Sequence, residues 1–195
     1  MRPYFQYLEG IAFKEETRVK ISEIIMSNLD NFIRSASPPT KYGSYDWNWF
    51  LPQTLMPRDL IDEVGNRMKI PVSYEILGQT PFTRGKIHVD RIVPNVPPRV
   101  TLLNFPIYPL DNTIFGPTRF YELLEGDPKQ DYDSCVFEQK AEVDYSVGKP
   151  VVFNLQRYHN AWNDVNDHRF NVQLCTNKTM DELMELYDAN ELYEI

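Results

Sequence analysis

His88 and Asp90 have the residue types and the spacing of two ligands of a metal ion. Asp90 follows His88 at the second position, and residues i and i+2 of an extended strand face the same side. A third ligand would have to be a distant histidine, for which His159 and His168 are the candidates. Two imidazoles and one carboxylate form a ligand set that suits iron(II) and leaves coordination positions open for reactants.

Arg169 helps to choose between these two histidines. It begins a run, 169–175, in which Arg169, Asn171 and Gln173 alternate with apolar residues as in a strand. If Arg169 faces inward, the adjacent His168 faces outward, which favours His159 as the third ligand. An inward arginine is costly to bury unless it meets an anion, and its planar fork matches a carboxylate. The alternative for Arg169 is a salt bridge within the sheet.

The pattern of residues from position 71 onward predicts a β-rich fold. Short runs of strand-forming residues are bounded by Pro, Gly, Asn or Asp, which is typical of an antiparallel sandwich or barrel. The predicted strands are PVSYEILG, GKIHVDRIV, RVTLLNFPIY, RFYELLE, CVFEQKAEV, PVVFNLQ and RFNVQLC. Helical periodicity predicts helices over 14–33 and from residue 57 to about 69. Thr179 and Glu182 form a possible capping box for a final helix.

The length and composition favour a single globular domain. The chain has 195 residues, with 42% hydrophobic and 13% aromatic residues, enough for one substantial core. We expect a helical N-terminal elaboration (1–70), a β core (71–177) and a C-terminal helix (178–195). The net charge of −8 disfavours nucleic acid as a partner.

The two cysteines and the absence of long apolar segments bear on location. Cys135 and Cys175 form no CxxC pair, which is typical of a reducing compartment. No stretch reaches eighteen consecutive apolar residues, and the N-terminus has no apolar signal core. We therefore expect a soluble, cytoplasmic protein with no membrane partner.

The order His88-x-Asp90, His159, Arg169 resembles the iron(II)- and 2-oxoglutarate-dependent oxygenases. The resemblance covers roughly residues 71–177, and its most specific part is GKPVVFNLQRYHNAWNDVNDHRF. This segment is similar especially to the aspartyl/asparaginyl β-hydroxylase-like branch, although that branch often has glycine in place of Asp90. The resemblance implies a double-stranded β-helix, which is a cupin-like jelly roll, with flanking helices.

The same resemblance implies a function and a set of site residues. His88, Asp90 and His159 would bind Fe(II), and Arg169 would bind the C5 carboxylate of 2-oxoglutarate. The implied activity is that of a dioxygenase that uses molecular oxygen to hydroxylate a small-molecule or peptide substrate, with release of succinate and CO2. It implies no catalytic residue beyond the metal ligands.

Three further residues could contact the carboxylates of 2-oxoglutarate, namely Asn104, Thr101 and Tyr121. Ordinary strand packing or a cross-strand hydrogen bond is the alternative for each of them. Two other functions also remain open. One is a jelly-roll binding module without catalysis, because a fold does not determine a function. The other is a cupin-type metalloenzyme that does not use 2-oxoglutarate.

Overall fold

The structure is a computed structural model that describes residues 4–30, 48–51, 56–90, 99–111 and 115–194. Within these ranges the chain forms three α-helices: α1 (Glu15–Ser27), α2 (Arg58–Gly65) and α3 (Met180–Asp188). It also forms ten strands: β1 (Phe5–Tyr7), β2 (Asn48–Leu51), β3 (Ser73–Gln79), β4 (Thr83–Arg84), β5 (Thr101–Tyr108), β6 (Thr118–Glu125), β7 (Val136–Val143), β8 (Val151–Asn154), β9 (Tyr158–Asn163) and β10 (Arg169–Thr176).

The strands form two antiparallel sheets. The major sheet has the order β1-β8-β5-β10-β3-β2, and the minor sheet has the order β4-β9-β6-β7. This arrangement, with a few flanking helices, confirms the predicted mainly β, jelly-roll fold. β10 lies inside the major sheet between β5 and β3, and all its residues are buried.

Alternation along the strands separates two apolar clusters. Phe170, Val172 and Leu174 of β10 belong to the larger cluster, which includes buried residues of all three helices. Phe120, Phe153 and their neighbours form the smaller cluster, between the two sheets. Because successive side chains of a strand point to opposite faces, Arg169, Asn171 and Gln173 face the minor sheet rather than the helices. The interior between the sheets therefore receives a row of polar side chains.

The structure differs from the sequence-based expectations in several elements. The segment 1–70, expected to be helical, also contributes β1 and β2 to the major sheet. The first helix ends at Ser27, and residues 31–33 of its predicted span lie outside the described residues. The second helix ends at Gly65, earlier than expected. His88 makes a single isolated β-bridge instead of lying in a regular strand, and β9 was not predicted.

The predicted capping box is present in the structure. Thr179 caps α3, and both hydrogen bonds of the capping box with Glu182 are present. Cys135 and Cys175 are both free. In the part of the chain that the structure describes, no helix has the length and apolar character needed to span a membrane.

Candidate metal centre and adjoining pocket

His88, Asp90 and His159 come together at one edge of the space between the sheets. The backbone N–H of His88 donates to the carbonyl oxygen of His159 at 2.9 Å, and the reciprocal bond measures 2.8 Å. The N–H of Asp90 donates to the carbonyl oxygen of Leu155 at 3.1 Å. One potential ligand atom from each of the three side chains lies within 4.8 Å of the others. The backbone thus brings the three predicted ligands to one point.

Both imidazoles are oriented by hydrogen bonds to the main chain. Nδ1 of His88 lies 2.8 Å from the carbonyl oxygen of Lys86, and Nδ1 of His159 lies 2.8 Å from that of Arg157. A carbonyl oxygen only accepts, so Nδ1 carries the proton in each neutral ring. Each Nε2 atom therefore has its lone pair available for a metal ion, as in metal-binding histidines whose other ring nitrogen donates to a carbonyl.

The third ligand faces both of these nitrogen atoms. Oδ1 of Asp90 lies 3.4 Å from Nε2 of His88 and 3.7 Å from Nε2 of His159. Two imidazole nitrogens and one carboxylate oxygen converge without an intervening side chain in the cluster. This donor set fits iron(II) and related divalent metals.

Burial and neighbouring charges adjust the protonation of these ligands. Burial, reinforced by the nearby His88, lowers the pKa of His159 to about 4. Burial alone would raise the pKa of Asp90, but the hydrogen bond with His88 and the positive charges around it hold that pKa below its usual value. Neutral His159 and ionised Asp90 are the states that bind metal. For His88, desolvation is outweighed by hydrogen bonds to Asp90 and the Lys86 carbonyl, so its pKa is raised.

Arg169 is the largest polar side chain in the interior, with 1% of its surface exposed. Its Nη1 donates to Oε1 of Gln79 and to the carbonyl oxygen of Trp162, both at 2.9 Å. Its Nη2 donates to Oγ1 of Thr118 at 3.3 Å, and Nε has no acceptor among the described residues. All of these acceptors are neutral.

No carboxylate within the described ranges lies within 4.0 Å of the Arg169 guanidinium. The rings of Phe115 and Tyr145 pack on it instead, with centroids 4.6 and 5.0 Å from its central carbon. Burial lowers the pKa of Arg169 without bringing it near neutrality, since arginine stays charged in proteins. A buried cation whose partners are all neutral lacks a compensating negative charge, which indicates a site for an anion.

A cavity of about 60 Å³ joins the two sites. It opens between the sheets and is bounded by the metal-ligand cluster and by Arg169. The residues that line it are Leu77, His88, Asp90, Arg99, Leu102, Asn104, Thr118, Phe153, Leu155, His159, Ala161, Arg169, Asn171 and Gln173. The four residues predicted from the His-x-Asp, His, Arg order therefore share one cavity.

Asn104 lies at the centre of a network of side-chain hydrogen bonds beside the cavity. Its Nδ2 donates to the hydroxyl of Tyr145 at 3.1 Å and to Oδ1 of Asn171 at 3.2 Å. Its Oδ1 accepts from Nε2 of Gln173 at 3.2 Å. The Tyr145 hydroxyl lies 3.0 Å from Oγ1 of Thr118, and Thr118 connects this network to Arg169. The amide of Asn104 is thus occupied by protein groups.

The structure does not bring Thr101 and Tyr121 to the cavity. Thr101 is buried and precedes the cavity residue Leu102 on β5, so it points to the opposite face of the major sheet. Tyr121 likewise follows the inward Phe120, and its hydroxyl donates to Oδ1 of Asn160 at 3.1 Å. Successive side chains of a strand point to opposite faces, which accounts for the positions of both residues.

His168 lies in the turn before β10 and is not part of the metal-ligand cluster. Its ring stacks on Phe170 at a centroid distance of 6.1 Å. This agrees with the expectation that His168 faces the side opposite to Arg169.

Several residues in or beside the pocket were not identified from the sequence: Arg99 and Thr118 line it, and Tyr145 packs on Arg169. Thr118 had a detectable signal, because it is a polar residue directly before the predicted strand RFYELLE. Arg99 and Tyr145 had none, since each lies outside a regular strand.

Comparison with known proteins finds solved structures that are similar in fold but low in sequence identity. No protein-family model and no curated protein matches the chain. The crystal structure of AviO1 from Streptomyces viridochromogenes Tue57 matches with a TM-score of 0.51 and 13% identity, over 91% of this chain and 92% of that one. At this identity, the match shows a common fold.

Two further solved structures are similar. SnoK, a non-heme alpha ketoglutarate dependent carbocyclase from nogalamycin biosynthesis, has a TM-score of 0.49 and 12% identity over 93% of this chain and 85% of that one. A Pseudomonas putida prolyl-4-hydroxylase has a TM-score of 0.48 and 11% identity over 89% and 93%. The more specific likeness to the aspartyl/asparaginyl β-hydroxylase-like branch stays a prediction.

Proposed function

We propose that this protein is an iron(II)- and 2-oxoglutarate-dependent oxygenase that hydroxylates a small-molecule or peptide substrate. The observation that carries the proposal is one cavity shared by His88, Asp90, His159 and Arg169, whose hydrogen-bond acceptors are all neutral. A metal-ligand set alone is compatible with many metalloenzymes. A buried arginine in the same cavity adds a place for the carboxylate of a co-substrate.

Iron(II) would be held by Nε2 of His88, Nε2 of His159 and Oδ1 of Asp90. When bound, it supplies the oxygen chemistry by which 2-oxoglutarate is converted to succinate and CO2 and the substrate is hydroxylated. The protein keeps both imidazoles in the required tautomer through the Lys86 and Arg157 carbonyls. His159 and Asp90 are already in their metal-binding protonation states at neutral pH.

Arg169 would bind the carboxylate of 2-oxoglutarate that is remote from the metal. Its three hydrogen-bonded acceptors are neutral, so its full charge is available to a bound anion. The rings of Phe115 and Tyr145 restrain the plane of the guanidinium and keep water from it. Low local polarity strengthens the attraction between this cation and a carboxylate.

Thr118 would add a neutral donor to the same carboxylate. The hydroxyl of Tyr145 accepts a hydrogen bond from Nδ2 of Asn104, and in the proposed arrangement it donates to Oγ1 of Thr118, 3.0 Å away. Oγ1 of Thr118 also accepts from Arg169. With both lone pairs of its oxygen engaged, Thr118 has its own O–H proton left to donate to a carboxylate oxygen.

The direct test is anaerobic titration of the iron(II)-loaded protein with 2-oxoglutarate, followed by visible absorption. We expect an absorption band from joint binding of metal and co-substrate, and slow succinate release once oxygen is admitted. His159→Ala removes a ligand and abolishes both signals. His168→Ala, the matched control, retains both because His168 lies outside the cluster.

Absence of the band in the unmodified, metal-saturated protein would overturn the proposal. Metal binding with no response to 2-oxoglutarate would instead favour a cupin-type metalloenzyme. Absence of metal binding would favour a jelly-roll binding module.

A further inference from the structure

Asp90 has two carboxylate oxygens in different surroundings. Oδ1 faces the imidazoles of His88 and His159, at 3.4 and 3.7 Å from their Nε2 atoms. Oδ2 pairs with Nη1 of Arg99 at 3.4 Å. We propose that Arg99 is a positioning residue: it pairs with Oδ2 and holds it away from the metal, so that Asp90 binds the metal through Oδ1 alone. The inference rests on the metal site of the proposed function.

Arg99 is itself anchored to the major sheet. Its Nη2 lies 3.2 Å from Oε2 of Glu75 and donates to Oε1 of Gln173, also at 3.2 Å. Glu75 and Gln173 are register partners on β3 and β10, so their side chains lie together on the same face. The guanidinium is thus held from the sheet side while its Nη1 reaches Asp90.

This environment distinguishes Arg99 from Arg169. Two carboxylates, of Glu75 and Asp90, offset the charge of Arg99. Arg169 has only neutral acceptors among the residues that the structure describes. Arg99 is therefore suited to orient a protein carboxylate, whereas Arg169 is suited to receive one from outside the protein.

One-oxygen binding by Asp90 has a consequence for the number of open positions. A carboxylate that chelates a metal with both oxygens takes one further coordination position than a carboxylate bound through one oxygen. The proposed reaction needs open positions for both the co-substrate and molecular oxygen. By holding Oδ2, Arg99 keeps one of these positions free.

A purely electrostatic role for Arg99 makes the opposite prediction for metal affinity. A cation near the site repels a metal ion, so removing it should strengthen metal binding. A positioning role predicts weaker binding, because partners that orient a ligand typically contribute about 10- to 100-fold in metal affinity. The sign of the change therefore separates the two roles.

The decisive variant is Arg99→Gln/Glu75→Gln, which removes one positive and one negative charge and leaves the net charge unchanged. We measure the affinity for Co(II) alone by competition with a chelator, without 2-oxoglutarate. The expected result is binding weaker by roughly 10- to 100-fold. A crystal structure of the Co(II)-loaded variant is expected to show that Asp90 no longer keeps the orientation in which only Oδ1 faces the metal.

The matched control is Arg84→Gln/Asp164→Asn. This pair also forms an ion pair, with Nη2 of Arg84 3.3 Å from Oδ1 of Asp164, but neither residue lines the cavity. The control changes charge in the same way and should bind Co(II) like the unmodified protein. Far-UV circular dichroism and urea unfolding establish that each variant is folded.

Arg99→Lys provides a second test that keeps the charge and is the milder change. A single ammonium group lacks the fork that bridges two carboxylates, so we expect intermediate Co(II) affinity. Unchanged affinity in both Arg99 variants would overturn the positioning role and leave the metal site intact. Failure of the unmodified protein to bind Co(II) would overturn the metal site itself, and Arg99 positioning with it.

Discussion

His88 and His159 are joined by a reciprocal pair of backbone hydrogen bonds, at 2.9 and 2.8 Å, and their rings lie 4.5 Å apart between centroids. The two proposed ligands are thus neighbours through the main chain, although they are far apart in sequence. Their separation is set by this isolated β-bridge between the main chains rather than by flexible side chains. The main chain therefore holds the two imidazoles side by side.

Arg169→Lys should weaken binding of 2-oxoglutarate. Lysine keeps the charge but loses the planar fork, and its three N–H donors would leave none for a carboxylate if they replaced the bonds of Arg169 to Gln79, Trp162 and Thr118. We expect the 2-oxoglutarate concentration for half-maximal succinate release to rise roughly 10- to 100-fold. Co(II) affinity without 2-oxoglutarate should not change.

Tyr121→Phe is the control for this measurement. The Tyr121 hydroxyl donates to Asn160 on the outer face of the minor sheet, away from the cavity. The half-maximal 2-oxoglutarate concentration should therefore match that of the unmodified protein. An equal effect of both substitutions would contradict the assignment of the co-substrate to Arg169.

Metal affinity should depend on pH through one histidine. The raised pKa of His88 means that a proton competes with metal as the pH falls, whereas His159, with a pKa of about 4, stays neutral. Asp90 also stays ionised because its pKa is lowered. Between about pH 5 and 6, we expect the logarithm of the Co(II) affinity to fall by about one for each pH unit.

Competition titrations at several pH values test this dependence. A fall of about two logarithmic units for each pH unit would mean that both imidazoles titrate in this range. That result would contradict the neutral state assigned to His159.

Tyr145→Phe should destabilise the fold without affecting the metal ligands. The phenol hydroxyl accepts from Asn104 and lies 3.0 Å from Thr118, so its removal leaves buried polar groups with fewer partners. We expect the free energy of unfolding to fall by about 1–3 kcal/mol. Urea unfolding of the metal-free protein measures it.

Tyr4→Phe is the comparison for this loss. The Tyr4 hydroxyl donates to Glu122 at the surface, where water can replace the phenol. The expected change in unfolding free energy is within about 0.5 kcal/mol. Equal losses in the two variants would show that the interior network around Tyr145 contributes nothing beyond a surface hydrogen bond.

Thr179→Ala should destabilise α3 and the core that it covers. The Thr179 hydroxyl accepts from the backbone N–H of Glu182, and Ala cannot replace it. We expect a loss of about 1 kcal/mol in unfolding free energy. Thr179→Ser keeps a capping hydroxyl and should retain most of the stability, so an equal loss in both variants would argue against the cap.

Local pattern was enough to predict β10 and to place Arg169, Asn171 and Gln173 on the face opposite its apolar residues. In that strand, polar and apolar residues alternate because one face meets the helices and the other meets the cavity. β9 carries His159 in the sequence YHNAWN, which lacks apolar alternation. Its strand conformation comes from pairing with β6 and β4, and a pairing between distant segments leaves no local periodicity to detect.

The proposed ligands could be identified from the sequence and Arg99 could not, and the residue types involved explain both outcomes. Histidine is rare in this chain, with three residues in all, so the spacing of His88, Asp90 and His159 is informative by itself. The contacts of Arg99 with Glu75, Asp90 and Gln173 join separate parts of the chain, and charged residues of these types are common on any surface. Thr101 and Tyr121 show the limit of reasoning by proximity, because a shift of one residue along a strand exchanges the cavity face for the opposite face.

The Lys86 and Arg157 carbonyls, each two residues before the histidine it orients, belong to the main chain. No side-chain replacement at position 86 or 157 deletes the acceptor, so the orientation of both imidazoles tolerates sequence drift at these positions. Asp90 has no such protection, since its partner is the side chain of Arg99. In a diverging set of descendants of this chain, the orientation of the carboxylate ligand would be lost sooner than that of the two imidazoles.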